Sequence, residues 1–264
     1  MPVAYITGGS SGIGLAAARQ LAEQGYNLAL FARGKGRLDE AKNSLETNFP
    51  ACRVEVFPVD VSEKAELLQA IQRAIAALGV PEVAIASAGV AVPGLFVEQD
   101  CELAERHMAV NYYGSYHFVK ALAPEMAKSG HGRIGLISSG AAFFGIYGYS
   151  AYAPTKFAIR ALAEVLRIEL APLGLSVTLC YPPDTETPQL EEEKRTKPRA
   201  TQIITDGGGL WQPEDVAKRL LRGMHRGAAT VAIGWQLKML LCFGGVLAPA
   251  LRWHQNRIVR KVEK

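Results

Sequence analysis

The chain has 264 residues, 49% of them apolar, enough to bury one large core, and no shift in composition marks a second domain. Its net charge of +4 belongs to the end of the chain, where Arg252, Arg257, Arg260, Lys261 and Lys264 stand against Glu263, and this argues against a general nucleic-acid-binding surface. Cys52, Cys101, Cys180 and Cys242 are scattered without a C-x-x-C, and His107, His117, His131, His225 and His254 lack ligand spacing, so neither a disulfide framework nor a metal site is expected.

The chain enters a strand at Val3 with no basic and apolar leader before it, so a signal peptide is not expected and reduced thiols in the cytoplasm are. Val3 to Thr7 is an apolar run that breaks into Gly8-Gly9-Ser10-Ser11-Gly12-Ile13-Gly14, and Leu15 to Gln24 has helical composition ended by Gly25. Asn27 to Ala32 is a second strand, followed by Arg33, Lys35 and Arg37, and a charged-faced helix runs from Arg37 to Asn48, closed before Pro50. The alternation continues with a strand at 53–59, a helix at 63–78 capped by Ser62, and a strand at 83–87. A helical region from Cys101 to Lys128, a strand at 133–137, a helix from Ser150 to Ala171 and a strand at 176–181 complete it. Strands alternating with helices pair in parallel through right-handed crossovers, which predicts a single-domain α/β fold with a Rossmann-type doubly wound parallel sheet.

Pro154 is tolerated only in a first turn, so the fifth helix must begin near Tyr152, with Ser150 as its cap. After Tyr181 the pattern fails. Pro182 to about residue 212 is too long and polar for an ordinary connection and reads as a substrate loop, before a helix resumes from Pro213 to His225.

Two stretches carry chemistry. Thr7-Gly8-x-x-x-Gly12-x-Gly14 lies between a strand and a helix, where glycines let the backbone approach a pyrophosphate favoured by the helix N-terminus. The second strand ends on Arg33, with Arg37 a turn on, where an acid would suit the ribose of NAD. Basic groups there suit a 2′-phosphate, and the expected cofactor is NADPH. Further on, Tyr152 and Lys156 are four residues apart and share a helix face. An ammonium ~5 Å from the phenol is worth roughly 3 kcal/mol at an effective dielectric near 20, which predicts a phenol pKa lowered from ~10 towards neutral. Ser138 and Ser139 follow an apolar strand and alternate in direction, so one of them faces the pocket.

Thr7-Gly8-x-x-x-Gly12-x-Gly14, Asp60-Val61, Ala88-Gly89, Asn111, Ser139 and Tyr152-x-x-x-Lys156 together resemble the short-chain dehydrogenase/reductase family over about residues 3–190. The resemblance implies that Tyr152 is the general acid/base, that Lys156 holds the nicotinamide ribose and lowers the tyrosine pKa, and that Ser139, with Ser138 the alternative, orients the carbonyl. Asn111 would anchor a proton-relay water. The cofactor contacts implied are Gly8, Ser10, Ser11, Gly12, Ile13, Gly14, Arg33, Arg37, Asp60, Val61, Ala88, Gly89, Lys156, Pro182 and Thr187. Two departures stand out. Asn-Asn-Ala-Gly reads Ala86-Ser87-Ala88-Gly89, which loses amide bonds that brace the sheet, and Pro-Gly reads Pro182-Pro183, which removes a backbone donor.

The run from Tyr181 to Pro188, with Glu191 to Pro198 behind it, is similar to the branch of the family that reduces 3-ketodihydrosphingosine, a long-chain 3-ketone with a neighbouring ammonium. That resemblance implies NADPH-dependent reduction of a long-chain 3-keto lipid in sphingolipid biosynthesis, with Asp184 and Glu186 as the first candidates to meet the ammonium. A reductase of another ketone (a 3-oxoacyl thioester, a steroid or another lipid carbonyl) is the alternative, and a non-catalytic NADP-binding module is a weaker one. Residues 1–232 form the expected NADP-binding reductase domain, and 233–264 an apolar segment with a basic tail. From Ile233 to Leu251 that segment reaches about 28 Å as a helix, but Gln236, Lys238, Pro249 and three glycines count against a span. It reads as peripheral contact with the cytoplasmic face of a membrane, as cover for the substrate pocket, or as a subunit contact. A homo-oligomer is expected from the family.

Overall fold

A computed structural model of the chain describes residues 1–263, and Lys264 of the basic tail lies outside the described residues. The strands β1 (Val3–Thr7), β2 (Asn27–Ala32), β3 (Val54–Pro58), β4 (Val83–Ala86), β5 (Gly132–Ile137), β6 (Leu175–Tyr181) and β7 (Thr230–Ala232) pair in parallel in the order β3-β2-β1-β4-β5-β6-β7. The strand order reverses between β1 and β4, where Thr7 stands opposite Phe31 on one side and Ala86 on the other. In such sheets the crevice for a ligand opens there, beyond the carboxyl ends of the strands.

Every residue of β1 is buried because both faces of the sheet are covered. Val3 and Tyr5 face a core shared with α3 (Lys64–Leu78), α5 (Ser115–Lys128) and α6 (Ala153–Leu170). Ala4 and Ile6 face the opposite core, with α1 (Gly12–Glu23), α2 (Lys35–Asn48) and α9 (Pro213–His225). The fold is the doubly wound sheet that the sequence predicts.

The local differences have physical reasons. The helical region before β5 is not continuous: α4 (Cys101–His107) and α5 are joined by a π-helical turn, Met108–Gly114, which carries Asn111. Ser62 does not cap α3, because its hydroxyl donates to Asp60 Oδ1 at 2.7 Å and Glu63 takes the cap position. Ser150 does not cap α6 either; its Oγ lies 3.4 Å from Gln99 Oε1, and Tyr152 is the cap residue. The expected irregular loop after β6 folds into α7 (Pro188–Thr196) and α8 (Arg199–Thr205). Its start signal was there to read: Thr187 Oγ1 accepts from Leu190 N–H at 3.3 Å, and Pro188 occupies the first turn. β7 is three residues long and gives too short a pattern to recognise.

Residues Trp235–Val262 form one helix, α10, with Pro249 inside it. Leu237 joins the core beneath the sheet. Further along, buried Gln255 accepts from Tyr147 N–H at 3.1 Å and donates to Gly145 C=O at 3.0 Å, and Glu263 Oε1 accepts from Ala200 N–H at 3.0 Å. The helix is thus strapped across the carboxyl edge. Among the described residues no helix is long and apolar enough to cross a membrane.

Candidate active site

A cavity of about 860 Å³ opens at the carboxyl edge of the sheet and runs from the β1–α1 turn, past α6, to the underside of α10. Its first part is a backbone cradle. Gly8 and Gly12 have φ of +68° and +53°, and a Cβ on Gly8 would lie 3.0 Å from the Ala88 backbone nitrogen. Gly14 does not line the cavity. It lets α1 close on β1, since a Cβ there would stand 2.3 Å from the Gly8 carbonyl oxygen. No side chain caps the N-terminus of α1 and no acid lies in its first turn, so its N–H groups favour an anion.

Ser10, Ser11 and Ile13 line the same wall, with Val61, Ala88, Gly89, Pro182 and Thr187 across from it. Thr187 sits directly over Gly12, where a Cβ would meet its Cγ2 at 2.9 Å. At the far end lie Arg33 and Arg37, and Arg33 Nη1 is 4.0 Å from Asp60 Oδ2. The asparagines missing from Ala86-Ser87-Ala88-Gly89 do not leave the sheet unbraced, because buried Thr7 Oγ1 accepts from both Ser87 N–H and Ala88 N–H at 3.1 Å. Cradle, anion-favouring helix end and paired arginines fit a dinucleotide with a 2′-phosphate.

Where the cradle meets α6, Tyr152 and Lys156 are both buried and both face the cavity. Lys156 Nζ lies 5.4 Å from the centre of the Tyr152 ring and 3.3 Å from the Ile137 carbonyl oxygen. The two serines divide as strand alternation requires. Ser138 is buried and donates to the Lys156 carbonyl at 3.1 Å, fixing α6 against β5, whereas Ser139 lines the cavity, accepts from Ala141 N–H at 3.2 Å and lies near enough to the Tyr152 phenol to act on its pKa. Asn111 does not line the cavity. Its Oδ1 accepts from Val90 N–H at 2.8 Å, and its Nδ2 reaches Val90 C=O and Thr155 Oγ1, both at 3.0 Å. The side chain expected to anchor a water therefore ties the β4 loop to α6.

The electrostatics differ from the expectation. Burial pushes the Tyr152 phenol well above its ordinary range, Glu193 and Asp184 push the same way, and the Ser139 hydrogen bond opposes them. Burial lowers Lys156 to about 8. Spacing alone predicts attraction between phenol and ammonium, and the cost of taking both groups out of water is the larger effect here. Tyr152 is thus a protonated acid at neutral pH, suited to a strongly basic oxygen.

Asp184 lines the cavity and lies 3.4 Å from Nζ of buried Lys197. Glu186 does not line it; it is exposed and accepts from Gln212 Nε2 at 2.6 Å, which removes it from the candidates to meet a ligand in the cavity. The acid that the sequence reading passed over is Glu193, buried on the inner face of α7. Its signal was the spacing from Leu190, one turn away on the same face.

The remaining wall comes from α10, through Leu237, Leu240, Leu247 and Leu251. The other side of α10 carries Phe243, Val246 and Trp253, each more than half exposed, while exposed Trp235 stands at the rim of the cavity.

Residues 2–198 match the short chain dehydrogenase family. Among curated proteins, the 3-dehydrosphinganine reductase of Danio rerio is 37% identical over 244 residues, spanning 90% of this chain and 73% of that protein. The 3-ketodihydrosphingosine reductase of Mus musculus is 37% identical over 243 residues, with the same shares. A solved short-chain dehydrogenase from Sphingobium yanoikuyae in complex with NADPH superposes with a TM-score of 0.78 at 26% identity, covering 99% of this chain and 94% of that one. With the switch-point cradle and the Ser139, Tyr152 and Lys156 cluster in one cavity, these matches place the chain in the short-chain dehydrogenase family.

Proposed function

We propose that this oxidoreductase uses NADPH to reduce the ketone of a long-chain 3-keto lipid, 3-ketodihydrosphingosine, to the alcohol. The observation that carries the reading is the continuity of one cavity from the dinucleotide cradle, past a buried acid, to an apolar wall of leucines on α10. The names borne by the curated relatives support the same substrate class. When bound, the cofactor supplies a hydride to the carbonyl carbon. Tyr152 delivers its phenolic proton to the oxygen as negative charge develops there, Ser139 orients that oxygen by a hydrogen bond, and Lys156 holds the nicotinamide ribose. Asn111 positions these groups through Val90 and Thr155. A panel of ketones tests the substrate: 3-ketodihydrosphingosine is expected to give the highest kcat/KM, and a higher value for a 3-oxoacyl thioester or a steroid ketone contradicts the assignment.

Arg33 reads the 2′-phosphate in this account. Arg33→Asp is expected to weaken NADPH several-fold to a hundredfold while sparing NADH, because it removes one charge-assisted contact and sets a second acid beside Asp60. Equal weakening of both cofactors in a fluorescence titration assigns Arg33 to structure instead. Lys156 sets a pH limit. It carries its charge below about 8 and loses it above, so kcat/KM for NADPH falls as pH rises through that value. A profile flat from neutral pH past that value contradicts the role of its ammonium.

The exposed face of α10 supports contact with the cytoplasmic face of a membrane, where a long-chain ketone resides. Phe243, Val246 and Trp253 project from one side, and Arg252, Arg257, Arg260 and Lys261 follow along the helix. Replacing Phe243, Val246 and Trp253 with Glu is expected to abolish co-sedimentation with anionic liposomes, and undiminished binding assigns the face to a subunit contact. Exposed Val165 and Ile168 on α6 support a homo-oligomer.

A further inference from the structure

Resting on the reading that the substrate is a ketone with an amine on the next carbon, we infer that Glu193 is the carboxylate that receives the ammonium and sets the preference for amino ketones. The helix α7 sorts its acids. Glu191 pairs with Lys194 at 2.7 Å and Glu192 with Arg195 at 3.3 Å, both among exposed side chains, while Glu193 turns inward and is 7% exposed. Both Glu192 and Glu193 border the cavity that holds Tyr152, but Glu192 does so from an exposed position, paired with Arg195, and Glu193 from a buried one.

Its carboxylate is held by neutral groups. Tyr149 OH donates to Oε2 at 3.1 Å and Gln189 Nε2 donates to Oε1 at 3.0 Å, and among the described residues no cation lies within salt-bridge distance. The buried lysine of the same region, Lys197, is paired with Asp184 and acts on Glu193 only from beyond contact distance. A carboxylate has room for about four donors, so acceptor capacity is left over, and a buried charge without a counter-ion is costly. A protonated amine in the cavity supplies both the missing donors and the missing charge.

The position is also right for a group beside the reacting carbon. Tyr149 connects the acid to the proton donor: its hydroxyl binds Glu193, and its ring lies 5.3 Å from the Tyr152 ring, centre to centre. The charge on Glu193 is felt at Tyr152 and at Lys156, raising both. An ammonium adjacent to the ketone would therefore lie between the carboxylate and the phenol, with the alkyl chain directed to the leucines of α10.

The test compares 3-ketodihydrosphingosine with the same ketone lacking the amine, using the full-length protein and NADPH. The native protein is expected to prefer the amino ketone by about tenfold to a hundredfold in kcat/KM, the size of one charge-assisted contact, and Glu193→Gln to bring the ratio towards one. The Gln side chain keeps the shape and an acceptor for Tyr149, and a thermal melt with an NADPH titration verifies that the variant is folded. A native ratio near one overturns the proposal without any variant, and so does a Gln variant that folds and keeps the native ratio, which would make Glu193 structural. If the native protein reduces neither of these ketones but does reduce a thioester or steroid ketone, the substrate reading itself fails, and the amine site with it.

Discussion

Tyr152→Phe is expected to lower the rate of ketone reduction by about a thousandfold, while NADPH binds with little change. The substitution deletes one hydroxyl and keeps the ring that packs against Tyr149 and His107, so the pocket retains its shape. What it removes is the proton for the developing alkoxide, and a positioned general acid is worth ~10²–10⁴ in rate. The position of the proton matters as much as its presence. Burial and the charge on Glu193 hold the phenol protonated, so Tyr152 keeps its proton until the substrate oxygen becomes strongly basic. Single-turnover reduction and a cofactor titration separate the two effects. A variant that keeps more than about a tenth of the native rate shows that another group is the acid.

Gly14→Val is expected to be the most damaging single change outside the catalytic groups. The added Cβ would stand 2.3 Å from the Gly8 carbonyl oxygen and 2.8 Å from its carbon, and both are backbone atoms of the turn that forms the cradle. No flexible side chain can yield, so α1 must lift from β1, at a cost of about 3 kcal/mol or more, and the N–H groups that favour an anion are misplaced. At roughly 2–4 °C per kcal/mol for a chain of this size, Tm falls by about 10 °C, and the further rise in Tm that NADPH confers on the native protein disappears. Gly36→Ala is the contrast. Nothing lies within 4 Å of a Cβ there and the residue is inside α2, so the change is expected to raise stability by about 0.5–1 kcal/mol. Equal melts for the two variants would show that close approach of α1 to β1 does not limit the fold.

What could be read from the sequence was what is written in local spacing. The strand, glycine turn and helix at Val3 to Gln24, the four-residue step from Tyr152 to Lys156 and the alternation of Ser138 with Ser139 each encode geometry over a few residues, and each appears in the fold. The harder features depend on burial, which spacing does not report. Glu193 stands in a run of charges that reads as a solvated face, and only the packing of α7 against the cavity buries it while Glu191 and Glu192 stay exposed. The phenol pKa failed in the same way: proximity of Lys156 was legible, and the loss of water around both groups was not. Thr7 replaces the missing asparagines through a bond between residues 80 positions apart, which no local pattern can show.

The ambiguity of α10 is informative as well. Its composition fitted a membrane surface, a pocket cover and a subunit contact because the helix is apolar on more than one side, with Leu237 and Leu240 inward and Phe243 and Trp253 outward. Its straps at Gln255 and Glu263 join the cover to the loop ahead of Tyr149 and to α8, so the helix that would meet the lipid also closes the chamber.

The central claim, reduction of an amino-bearing long-chain ketone with NADPH, is tested most directly by incubating the purified full-length protein with NADPH and 3-ketodihydrosphingosine and following both cofactor oxidation and lipid product. The expected result is one dihydrosphingosine formed per NADPH consumed, with no product from Tyr152→Phe. Absence of that product, from a protein that binds NADPH and reduces a different class of ketone, would contradict the assignment.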